Sequence, residues 1–126
     1  MPNMIKLKME KKIKSKYGLL SLNIFTYCNN NRLALQLYTE DGELFDDLTI
    51  NLSNFMIADI DEGFLNSFIN SKEFDIVSIL KKEGTISESY GLRNYNFGQY
   101  EYVKFNLENL KQYDPKGFKK FMSKQK

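Results

Sequence analysis

The chain has 126 residues, 42% hydrophobic and 27% charged, which suits one globular domain with a real core and is too short for two. It has no histidine and one cysteine, so structural zinc and a disulfide framework are excluded, and a reducing cytoplasm is the expected compartment. The net charge of +2 hides a segregation: residues 1–16 hold six Lys and one Glu, residues 111–126 six Lys and one Asp, and residues 17–110 fourteen acids against six Lys and Arg.

Met4 to Met9 alternates as Ile-Lys-Leu-Lys-Met, which favours a strand although the flanking lysines would tolerate a helix, and it carries no apolar core of the kind a secretory signal needs. Leu19 to Tyr27 is a firmer strand, with Leu20, Leu22 and Ile24 on one face. Cys28 to Asn31 reads as a turn, because Asn tolerates positive φ. Arg32 to Tyr38 puts Leu33, Leu35 and Leu37 inward. Asp41-Gly42 then signals a hairpin whose return strand spans Leu44 to Leu52. Strict alternation would turn Asp46 inward with Leu48 and Ile50, so a bulge or early strand end is expected at Asp46-Asp47.

Asp61 is the expected N-cap of a short helix carrying Phe64, Leu65, Phe68 and Ile69 to about Lys72, with Glu62 in its first turn. Ile76 to Leu80 and Thr85 to Ser89 read as a hairpin around Lys81 to Gly84. Tyr90 to Gly98 reads as an irregular loop, and Tyr100 to Leu107 as the last strand. Asp114-Pro115 opens a final helix with Phe118, Phe121 and Met122 on one side. The expectation is an α+β single domain: a mostly antiparallel twisted sheet of about five strands with one or two helices on a face. Residues 1–13 would be a basic extension, 14–110 the body and 114–124 an amphipathic helix.

Between Leu33 and Ser71 there are eight carboxylates and no Lys or Arg. Adjacent aspartates on a strand point to opposite faces, so Asp46 and Asp47 are poorly placed to share a metal ion. Without an imidazole partner Cys28 is read as a packed or edge thiol, and no Gly-rich phosphate loop is present. Catalytic residues, metal ligands and cofactors are accordingly assigned to none, and the protein is read as not an enzyme. Tyr100 and Tyr102 share a strand face, as bases would need for stacking, but the acidic body has the wrong sign for phosphate.

The run Lys16 to Leu52 resembles a bacterial family known as domain of unknown function 4313. The marks are Lys16-Tyr17-Gly18, the Asn-Asn-x-Leu-Ala-Leu-x-Leu of Asn30 to Leu37, Glu40-Asp41-Gly42-Glu43, and Leu48-Thr49-Ile50-Asn51-Leu52. A looser match runs from Phe64 to Leu107. Where the family carries an aromatic-rich Gly-Tyr-Cys segment, this chain has Ser89-Tyr90-Gly91. The resemblance implies an accessory protein of a phage or conjugative element, and such small proteins include anti-CRISPR inhibitors. It implies no catalytic residue.

The expected function is a non-catalytic inhibitor of anti-CRISPR type. Glu40, Asp41, Glu43, Asp46, Asp47 and Asp59, with Tyr100 and Tyr102, would dock on a basic, nucleic-acid-handling host protein such as a CRISPR-Cas effector. The alternative is a nucleic-acid-binding accessory factor acting through its basic ends. A third reading pairs the basic ends of one copy with the acidic hairpin of another. No membrane partner is expected, and the oligomeric state is left open.

Overall fold

A computed structural model describes residues 10–125, so the alternating segment Met4 to Met9 lies outside the described residues. Strands β1 (Ile13–Ser15), β2 (Gly18–Thr26), β3 (Leu33–Tyr38) and β4 (Leu44–Asp47) form one antiparallel sheet in the order β1-β2-β3-β4. Its inner face is the alternation itself: Leu22 stands opposite Leu37 and Ile24 opposite Leu35, all fully buried with Leu20. The turn at Cys28 to Asn31 forms as expected, with Asn31 at φ 58°. The β3–β4 hairpin also forms, Gly42 taking φ 85°.

The expected irregularity near Asp46 is present. Leu37 pairs with Asp46 but Tyr38 with Leu44, so Phe45 is the extra residue of a bulge and packs with Tyr17 and Phe74. The expected single strand Leu44 to Leu52 is split. At Leu48 the chain leaves the first sheet and enters a second as β5 (Thr49–Ile50). One residue of β3 stitches the two sheets: the Leu35 carbonyl accepts from Leu48 N–H at 2.9 Å, and Leu35 N–H donates to Thr49 Oγ1 at 3.1 Å.

The second sheet joins β5 to β6 (Glu62–Leu65), β7 (Ile86–Tyr95) and β8 (Gly98–Phe105) in the order β5-β6-β8-β7, also antiparallel. Helices are α1 (Ile76–Lys82), α2 (Leu107–Tyr113) and α3 (Pro115–Ser123). The class is α+β, with eight strands in two sheets where about five in one were expected. One core unites both sheets and all three helices, from Ile13 and Leu22 through Leu65, Leu80 and Val103 to Leu110 and Phe121.

Four expectations are corrected. The helix from Asp61 does not form: Glu62–Leu65 is strand β6, paired on both sides and buried at every residue. A strand covered on both faces needs no alternation, so Phe64 and Leu65 side by side mimicked a helical stripe. Conversely, Ile76 to Leu80 is helix α1, burying Ile76, Val77 and Leu80 at helical spacing despite β-branched side chains. Lys81 to Gly84 is the end of that helix, not a hairpin turn. Gly84 takes φ 81° and donates to Lys81, while Thr85 N–H donates to Leu80, the two bonds of a Schellman ending.

The third correction concerns Tyr90 to Gly98, which belongs to one long hairpin rather than a loop. Gly91, at φ 90°, sits in a bulge of β7, and Asn96, at φ 53°, makes the turn to β8. The fourth is α2, absent from the sequence reading: β8 stops at Phe105 because Asn106 caps the next helix, accepting from Asn109 N–H. The final helix starts as expected. Asp114 accepts from Gly117 N–H at 3.0 Å with Pro115 in the first turn, and Phe121 is buried with Phe118 partly so.

Candidate functional site

Strand order decides where the segregated charges go. β4 is one edge of the first sheet and β1 is the other. Glu40, Asp41 and Glu43 are exposed around the β3–β4 turn, and Asp47 is exposed on β4. Asp46 is half-buried, its carboxylate accepting from Asp47 N–H, while Asp47 accepts from Gln36 Nε2 at 2.8 Å. None of these five joins an ion pair among the described residues; the pairs there are Lys11–Glu83, Lys81–Glu101 and Lys104–Asp61. On the opposite edge Lys12, Lys14 and Lys16 are exposed. Three strand spacings separate the edges by about 14 Å, more than the roughly 8 Å screening length at physiological salt. The two patches therefore do not neutralise each other. Charged edges also discourage strand-to-strand aggregation, which is the simplest use for either patch alone.

Asp59 belongs to the loop that leads into β6, and Tyr100 and Tyr102 to a different surface, the outer face of the second sheet. There Phe64 stands opposite Tyr102, Glu62 opposite Lys104, and Arg93 opposite Tyr100. The Tyr102 ring stacks on Phe64 at 4.9 Å, meets Tyr90 at 5.1 Å, and lies 5.2 Å from the Arg93 guanidinium. Its hydroxyl donates to the Glu62 carboxylate and accepts from Ala58 N–H. Burial first, then Glu62, holds the Tyr102 phenol above its ordinary pKa. Tyr102 is thus committed to packing and offers no free face for a base. Tyr100, half-buried on the same face, has no aromatic partner among the described residues. Asp59 is exposed in the loop that ends at Glu62. The eight predicted residues are therefore not one site: five lie on the hairpin, Tyr100 and Tyr102 on β8 of the second sheet, and Asp59 in the loop before β6.

The two acids expected at a helix start do other work. Glu62, 6% exposed, also accepts from Ala58 N–H at 2.8 Å and so anchors the preceding loop. Asp61 has a buried Oδ1 with no hydrogen-bond partner, and its Oδ2 lies 3.8 Å from Lys104 Nζ. Burial raises its pKa, against the pull of Lys104. Among the described residues no three His, Cys, Asp or Glu are grouped to hold a metal ion. No described helix is long and apolar enough to cross a membrane. Cys28 is an exposed free thiol.

Several surface residues escaped the sequence reading. Phe97 is fully exposed at the β7–β8 turn, with Leu92 and Met56 also uncovered; the Asn96-Phe97-Gly98 triplet was the available signal once β7 is recognised as a strand. Arg32 donates to the carbonyls of Leu52 and Phe55, clamping the start of the loop that carries Asp59. That loop, with Asn30, Arg32 and Gln125, bounds an open cleft of about 320 Å³.

The chain matches the family model described as Domain of unknown function (DUF4313) over residues 21–125, and it belongs to that family. Comparison with curated proteins gave no match, and comparison with solved structures gave none.

Proposed function

We propose that this member of an uncharacterised family is a non-catalytic binding protein whose acidic β3–β4 hairpin docks on a basic, nucleic-acid-handling protein. One observation carries the reading: Glu40, Asp41 and Glu43 stand exposed on a register-fixed hairpin, outside every ion pair among the described residues. Carboxylates left free on a rigid turn steer a basic partner and set its orientation, raising association rate and specificity more than affinity. Asp47 extends the patch along β4, while Asp46 serves its own strand. The finer identity proposed here is an anti-CRISPR-type inhibitor from a phage or mobile element, acting in the cytoplasm on a guide- or target-binding channel. That part rests on the family resemblance rather than on geometry.

Substituting Glu40→Lys, Asp41→Lys and Glu43→Lys together tests the docking. The turn is exposed, so the variant should keep its circular dichroism spectrum and melting temperature. It should lose co-purification of the partner that the wild type retains from a host lysate, identified by mass spectrometry. Unchanged capture by a folded variant would remove the hairpin from the interface.

A further inference from the structure

Lysines far apart in sequence are collected along one edge of the first sheet. β2 is nine residues long, yet β1 pairs only with Gly18, Leu19 and Leu20. The rest of that edge is flanked by the C-terminal helices. Lys11 N–H donates to the Gln112 carbonyl at 3.0 Å, which sets the start of β1 beside the end of α2. Ile24 N–H donates to Asp114 Oδ2 at 2.9 Å, which seats the start of α3 on β2. At the far end Gln125 Nε2 donates to the Asn31 carbonyl. The described parts of the two basic segments, residues 11–16 and 111–125, thus lie in single file along β2, about 30 Å in all at the rise of a strand.

Within that file Lys12, Lys14, Lys16, Lys111, Lys116, Lys119, Lys120 and Lys124 are exposed, and none of them is ion-paired among the described residues. The nearby Glu83 is engaged by Lys11 at 3.0 Å, and the Asp114 carboxylate by two backbone N–H groups. Beside β1 a groove of about 460 Å³ runs against α1, lined by Lys11, Lys12, Lys14, Leu19, Ile79 and Glu83. Lys14 on β1 and Lys12 just before it are two residues apart, roughly 6.8 Å along an extended chain and close to the spacing of consecutive phosphates along a strand; Lys12 Nζ also donates to Ser21 Oγ at 2.8 Å.

We infer that this edge is a sequence-independent binding surface for the phosphate backbone of a nucleic acid, separate from the hairpin. A linear polyanion fits the observations better than a second copy's hairpin would. The lysines span the whole length of β2, whereas the hairpin offers a compact group of carboxylates that could cover only one end. Contacts of lysine with phosphate alone predict no base preference.

Fluorescence anisotropy of the full chain with a labelled mixed-sequence DNA duplex tests this. At about 50 mM salt the wild type should bind, and log affinity should fall linearly with log salt, with a slope of about −4 if four or five phosphates are engaged. Lys12→Ala with Lys14→Ala should weaken binding about tenfold and flatten the slope by about two. Lys116→Ala with Lys119→Ala should do the same from the other end. The hairpin variant should bind as tightly as wild type or better. Absence of wild-type binding at low salt would overturn the inference, as would slopes unchanged in both lysine variants. Salt-sensitive self-association in gel filtration without any DNA binding would overturn it in favour of a copy-to-copy contact.

Discussion

Replacing Glu101 by glutamine should lower the stability of the fold by about 1–2 kcal/mol at pH 7. Glu101 is 9% exposed on β8 and is the acceptor that ties three elements together. One carboxylate oxygen accepts from Asn70 Nδ2 at 2.8 Å; the other accepts from Lys81 Nζ on α1 at 2.8 Å and from Ser89 on β7. Glutamine keeps the shape but has one oxygen. The amide would turn that oxygen to Lys81 and Ser89, and Asn70 would rotate its own amide to present a carbonyl to the new NH₂. What is lost is the charge on the acceptor. Hydrogen bonds to charged groups contribute about 1.5–3 kcal/mol against about 1 for neutral ones, and the 41% exposure of the Lys81 side chain reduces the difference.

The pH dependence gives the sharper test. Burial by itself would raise the Glu101 pKa, but donation by Lys81, Ser89 and Asn70 outweighs it and holds the carboxyl below its ordinary value. A depressed folded-state pKa means stability fully present above the unfolded value, near 4.3, and lost as pH falls through the folded one. Urea midpoints for wild type and Glu101→Gln should therefore differ clearly at pH 7 and converge at acid pH, once the folded-state carboxyl is protonated. A gap of the same size at both pH values would show that shape, not charge, makes the network; no gap at pH 7 would show that Glu101 holds nothing.

Gly117→Ala should destabilise by about 1–3 kcal/mol, because a Cβ there would meet the Ile24 carbonyl oxygen at 2.5 Å as well as the Asp114 carboxylate. Gly63→Ala, whose Cβ would meet only Phe105 at 3.7 Å, should change the urea midpoint little; equal effects would contradict the close seating of α3 on β2. Asp61→Asn should raise stability at pH 7 by up to about 1 kcal/mol. Its folded pKa lies above the unfolded one, so the ionised group opposes folding at neutral pH, and this opposition fades as pH falls through the folded value. A variant less stable than wild type at pH 7 would assign Asp61 a favourable pairing with Lys104 instead.

The first sheet was legible because one of its faces is core and the other solvent, so Leu20, Leu22, Ile24, Leu33, Leu35 and Leu37 announce their period directly. The second sheet was not. β6 is buried on both faces and therefore carries no period, while β7 is broken by a glycine bulge that reads locally as a loop. α1 shows the reverse failure: its Ile, Val and Leu fit a strand by composition, and only the i, i+1, i+4 placement of Ile76, Val77 and Leu80 betrays a helix. For the candidate site, the hairpin acids were visible because turn chemistry is local. The lysine edge was visible only as two basic ends, since the bonds from Lys11 to Gln112 and from Ile24 to Asp114 that align them join residues about a hundred positions apart.

Edge protection alone does not account for the way the first sheet divides its charge. Any charge on an edge strand discourages pairing with another sheet, and a mixture of signs on each edge would serve. One edge here is lysine and the other is acid, an arrangement in which the β1 edge of one molecule attracts the β4 hairpin of the next. Such a contact is head-to-tail and need not close, so it favours open chains of molecules. For solubility alone the division is a liability. Two partners of opposite sign, one basic and one polyanionic, would turn it to use, because each would find a surface dominated by one sign more than a screening length from the other. Light scattering at low ionic strength measures the liability directly. Reversing Glu40, Asp41 and Glu43 to lysine makes both edges basic and should lower any self-association of the wild type. A rise in self-association would mean that the two edges never face each other and that their opposite signs have no bearing on it.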